Sequence, residues 1–210
     1  MDHEGQLASG IMASQVDVVN VALTLLGEQR VISMSDNIKP ARDAKAIYDI
    51  TRDQLLAAYN WSFAKKRARV PALVGAPEFG FSLSYQIPTD CLRLIQIGDS
   101  YVGVDLTDYR GSNTSEYEIE GRSILTNMGS PLSIKYVSRV ENPGVFAPSF
   151  VSAFAAKLAE SLAESLTQSD QKKKLATEAF RSAMSNAVRV NAIELAPQKL
   201  PDDEWLMSRL

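Results

Sequence analysis

The sequence predicts an α+β fold, mainly α: a four-helix bundle with an inserted small antiparallel β domain. Three observations lead there. Apolar residues recur at helical spacing towards both ends, at Val16, Val19, Leu23 and Leu26 and again at Phe154, Leu158, Leu162 and Leu166. Between them the period changes to two, with Phe81, Leu83, Tyr85 and Ile87 alternating against Ser82, Ser84 and Gln86. Neither helical pair can bury its stripe alone, so the two pairs are expected to pack on each other. The expected domain map is a flexible arm over 1–13, a helical bundle domain from 14–69 and 149–195, a β insertion over 70–148, and a tail over 196–210.

The arm lacks periodicity. Ser14 suits the N-cap of the first helix and Asp17 complements its dipole. Gly27 stands where a left-handed residue is wanted at the helix end. Val31 to Met34 reads as a short extended piece, followed by a turn at Ser35-Asp36-Asn37. Pro40 fits the first turn of the second helix, whose stripe is Ala44, Ile47, Tyr48, Thr51, Leu55, Ala58 and Tyr59. Asp49 and Arg52 lie three apart, as a surface pair worth a few tenths of a kcal/mol. Trp61 and Phe63 end this helix, either plugging the core or seating a neighbouring subunit. Lys65, Lys66, Arg67 and Arg69 form a cationic run. It is either a solvated face or, in a ring around nucleic acid, a channel lining that holds phosphates without reading sequence.

Prolines and glycines mark a connector from Val70 to Gly80. After the first alternating strand come Leu92 to Ile97, a short piece from Tyr101 to Val104, a hairpin turning at Gly121-Arg122, and Leu132 to Tyr136. A second connector, Asn142-Pro143-Gly144 and Pro148, leads to a third helix capped by Ser149. Its Ala155, Ala156, Ala159 and Ala163 allow close helix approach. A fourth helix is expected from Gln171 to Glu194, with Ala176, Phe180, Ala183, Ala187 and Val190 as its stripe. The Pro-bounded tail carries Trp205, Leu206 and Met207, which either fold back or dock on a partner.

Composition narrows the function classes. The chain has 210 residues and a net charge of -3, which argues against a general nucleic-acid binder. His3 is the one histidine and Cys91 the one cysteine. A Ser-His-Asp arrangement would have to use His3, and zinc sites with several His or Cys ligands are excluded by count. Cys91 reads as a small buried hydrophobe. The N-terminus is polar and acidic, not a secretory signal, and no apolar run reaches membrane-span length, so a soluble chain is expected. No catalytic, cofactor or metal-ligating residues are expected. One alternative is a cell-wall glycan hydrolase using paired carboxylates among Asp105, Asp108, Glu116, Glu118 and Glu120. Glu116, Glu118 and Glu120 alternate with Tyr117 and Ile119, which more simply makes them the wet face of a strand. The other alternative is a cytoplasmic helical binding module.

Several runs together carry a resemblance. They are Asn20-Val21-Ala22-Leu23 with Leu26-Gly27, Ile32-Ser33 with Asp36, and Tyr48-Asp49-Ile50-Thr51-Arg52-Asp53 with Leu56 and Trp61-Ser62-Phe63-Ala64. Further on come Tyr85-Gln86-Ile87-Pro88-Thr89-Asp90-Cys91-Leu92-Arg93, Glu120-Gly121 with Ile124-Leu125-Thr126, and Pro131-Leu132 with Lys135-Tyr136-Val137. The helix from Phe150, with Leu158-Ala159 and Leu166-Thr167, completes the set. In order and spacing these resemble the phage tail tubular protein A family, the head-to-tail adaptors of short-tailed phages, from Ser14 to Glu194. The resemblance implies a helical bundle carrying a β domain. It implies a ring-forming homo-oligomer of about twelve copies under the portal protein. That ring extends the DNA channel, docks the tail nozzle (tail tubular protein B), and needs no cofactor or catalytic residue. Its implied location is the virion neck, after assembly in the host cytoplasm. The expected assembly residues are Trp61, Phe63, Trp205, Leu206 and Met207.

Overall fold

Ser14 starts α1 (Gln15–Leu26) with a reciprocal cap. Its Oγ accepts the Asp17 N–H at 3.1 Å, and Asp17 Oδ2 accepts the Ser14 N–H at 2.9 Å. Two donors that a helix start leaves open are thereby satisfied. Gly27 closes the helix at φ 67°, and its N–H reaches the carbonyls of Leu23 and Thr24. The computed structural model describes residues 13–102 and 116–194. The expected extended piece at Val31–Met34 is instead a loop held by side chains. Asn20 bonds both the N–H and the carbonyl of Val31, at 2.8 and 2.9 Å, and the Asp36 carboxylate accepts from Ile32 and Ser33. Those side chains take the bonds a strand partner would take. Pro40 lies in the first turn of α2 (Lys39–Ala58).

A 3-10 turn at Ser62–Ala64 leads into seven strands among the described residues. They are β1 (Lys65–Val70), β2 (Leu83–Gln86), β3 (Cys91–Ile97), β4 (Ser100–Tyr101), β5 (Tyr117–Glu120), β6 (Ser123–Thr126) and β7 (Leu132–Ser138). They form two antiparallel sheets, ordered β1-β7-β3-β4 and β2-β6-β5. The cationic run is therefore the first strand, and the β part starts at Lys65 rather than at 70. Gly121 makes the β5–β6 turn at φ 57°, as the Gly-Arg pair suggests. The chain then returns to α3 (Pro148–Thr167) and α4 (Asp170–Glu194). Ala147 precedes α3 and no side chain caps it, so Ser149 lies inside the helix and is not the expected cap.

The expected four-helix bundle with a small β insert is not what forms. α1, α2 and α4 each pack on α3, which buries Phe150, Ala153, Phe154, Leu158, Leu162 and its alanines. α4 buries only Ala176, Ala187 and Asn191 among its described residues, so it lies on the outside of that centre. β3 and β7 lean on α2, and Ile95 and Val137 join the helical core. The helical stripes are thus satisfied by one central helix and a sheet, not by four helices around a shared axis. The β part also has its own core, where Tyr85 and Ile124 of one sheet meet Val70, Ile97, Leu132 and Ile134 of the other.

Candidate functional site

Several residues that carry the resemblance make internal bonds within the β part and at its junction with α2. Tyr85 is fully buried and its hydroxyl donates to the Met128 carbonyl at 2.7 Å. Asp90 accepts from Lys66 Nζ at 2.7 Å and from the Tyr136 hydroxyl at 3.1 Å, while its carbonyl takes the Arg139 N–H. Arg93 reaches back to α2, donating to the Ala57 carbonyl at 2.8 Å and to Asn60 Oδ1 at 2.6 Å. It thereby supplies a donor to one of the carbonyls that the end of α2 leaves open. From the far side, Asn191 of α4 donates to the Asn60 carbonyl and accepts the Ser62 N–H. Tyr85, Asp90 and Arg93 of this run act as staples, and their side-chain polar groups are engaged in internal bonds.

Asp90 gives these bonds a pH dependence. Burial pushes its carboxyl up, but the bonds from Lys66 and Tyr136 and the Lys66 charge outweigh that and hold it below the usual 3.8. A folded-state value below the unfolded one means stabilisation that is full above the unfolded value and lost as pH falls through the folded one. The melting temperature should therefore drop as pH falls below about 4. That drop should be shallower in Asp90→Asn, and identical pH profiles for the two proteins would contradict the assignment.

Trp61 and Phe63 plug the core. Trp61 is 1% exposed, its ring meets Tyr59, Phe63 and Phe150, and its Nε1 donates to the Leu55 carbonyl at 2.9 Å. Trp61 therefore offers no surface to a neighbouring subunit, which corrects the interface expectation for that residue. Phe63 is half-buried against Phe146 and Phe150. Trp205, Leu206 and Met207 lie outside the described residues, as do Asp105 and Asp108.

The cationic run divides by strand alternation. Lys66 shares its face with Ala68 and Val70, which pack in the core between the sheets, and it pairs with Asp90. Lys65, Arg67 and Arg69 share the other face with Lys135, which stands directly across from Arg67 on β7 and beside Gln96 of β3. Burial pulls the Lys65 ammonium below its usual range, and the charges of Lys135 and Arg67 add to it. Arg67, Arg69 and Lys135 line an open cleft of about 310 Å³. No carboxylate among the described residues pairs with any of the three. Sequence reasoning missed Lys135. The alternation of β7 hinted at its outward face, but only the register places it across from Arg67.

Glu118 and Glu120 occupy the outer face of β5, as the alternation suggests. Glu116 precedes the strand and accepts from the Ser100 hydroxyl. A loop over 75–81 borders Glu118 and Glu120 across a second open cleft. Its neighbourhood holds the most solvent-exposed apolar side chains among the described residues of the β part, Val74 and Phe79, the latter 87% exposed. Cys91 is half-buried, and burial pushes its thiol up to about 11, far from a reactive thiolate. No helix among the described residues is long and apolar enough to cross a membrane. No protein-family model matches the chain, and no curated protein matches it.

Proposed function

We propose that the chain is a structural subunit of a phage neck. It is a head-to-tail adaptor that joins a ring under the portal protein, extends the DNA channel and docks the tail nozzle. The observation that carries this reading is the resemblance from Ser14 to Glu194, whose polar signature residues serve as scaffold. Asp90, Arg93, Arg52 and Asp53 all spend their charges on internal bonds. A structural subunit needs such a rigid scaffold and no reacting group. Val74 and Phe79 add apolar surface of the kind that an assembly covers.

The test is uptake by a portal ring from the same virus. The adaptor reading expects stable binding in about twelve copies per ring. A portal ring that elutes without the chain, at concentrations well above those of assembly, would overturn it.

A further inference from the structure

Two polar patches of the β part take no part in the internal bonds described above, and they carry opposite charge. On the first sheet Arg67, Arg69 and Lys135 point away from the apolar core that the two sheets share. On the second sheet Glu118 and Glu120 point away from the same core, with Glu78 on the adjoining loop. None of these carboxylates is paired among the described residues. Cations and carboxylates thus lie on opposite sides of one double layer, the cations on the part of their face that Val137 and the helices leave open.

We propose that these faces mate head to tail between copies of this chain. The carboxylate face of one copy sits on the Arg67–Arg69–Lys135 cleft of the next, and Phe79 and Val74 supply the apolar centre. The inference deepens the ring reading and rests on it. Two different patches make a heterologous contact, which closes into a ring or continues as a filament, whereas one self-complementary patch stops at a dimer.

Three observations favour a second copy as the occupant. The faces are complementary in charge, which steers encounter and fixes register. Arg67 directly across from Lys135 is an unfavourable like-charge pair, and a neighbour's carboxylates offset it. Charges on β1 also guard an open strand edge, but Lys135 lies on β7, inside the sheet, where edge protection does not account for it. A nucleic-acid phosphate backbone would use the cations alone and leave Glu118, Glu120 and Phe79 without a role.

The experiment is sedimentation velocity on the full chain at low and high salt, with two charge-reversed variants. The first is Arg67→Glu with Arg69→Glu, and the second is Glu118→Lys with Glu120→Lys. All four positions are solvent-exposed, and thermal melting verifies that each variant folds. Wild type should self-associate at low salt and dissociate as salt screens the faces. Each variant alone should associate at least about tenfold more weakly. Mixed in equal amounts the variants should reassociate, because each reversed face then meets an opposite one. Self-association at wild-type strength in both variants would place the interface elsewhere and overturn the inference, with the ring reading intact. So would loss of short-duplex DNA binding in the arginine variant without loss of self-association. A wild-type chain that stays monomeric at low salt up to its solubility limit also overturns it. Uptake by a portal ring decides the adaptor reading separately.

Discussion

Trp61→Ala should cost about 3–5 kcal/mol of folding stability, as large truncations of buried aromatics do. Trp61 joins the exit of α2 to the start of α3, with its ring centroid 5.0 Å from that of Phe150 and 5.4 Å from that of Tyr59. Phe150 in turn meets Phe63, Phe146 and Phe154, so the loss opens a hole at the centre of an aromatic cluster. Loss of the indole N–H also leaves the Leu55 carbonyl without this donor. Trp61→Phe separates the two effects. It keeps most of the apolar volume and loses the hydrogen bond, so a smaller cost of about 1–2 kcal/mol is expected. Urea unfolding of the three proteins measures both. An alanine variant that unfolds at the wild-type midpoint would remove Trp61 from the core of this account.

Arg52→Ala should cost about 2–4 kcal/mol, an order of magnitude above the surface pair its spacing from Asp49 suggests. Arg52 is 4% exposed and holds Asp49 at 2.8 Å and Asp53 at 2.9 Å. Asp53 is shared with Arg139, which follows β7, so the guanidinium belongs to a chain of ions running from helix to sheet. The effect lies below that of breaking a fully buried pair, because Asp49 is open to water and Asp53 keeps Arg139. Asp49→Ala, at a side chain 72% exposed, should change stability by less than about 0.5 kcal/mol. Equal effects at Arg52 and Asp49 would show that the pair is the solvated one the spacing implied.

These two sites show what the sequence made legible and what it did not. The capping box at Ser14, the left-handed Gly27, the Pro40 start and the Gly121 turn are local devices, and each stands where its residue type requires. Arg52 was misread because spacing along a helix reports neighbours on that helix, while burial is set by what packs over it. The four-helix expectation failed for the same reason. Stripes on α1 and α2 specify that something covers them, and α3, Ile95 and Val137 do so together. The cationic run was visible as composition, yet its division into Lys66, paired with Asp90, and Arg67 and Arg69 on the other face needed the strand and its register. Lys135 became part of the site only through pairing with Arg67, on a strand far earlier in the chain, which no local period encodes.

The central functional claim is that this chain takes its place in a ring on a portal. Light scattering after size exclusion, on the chain alone and on the chain mixed with a portal ring from the same virus, tests it most directly. The account predicts a complex whose added mass corresponds to about twelve chains per portal ring. A mixture that separates into free portal and free chain, with no added mass on the portal peak, would contradict it.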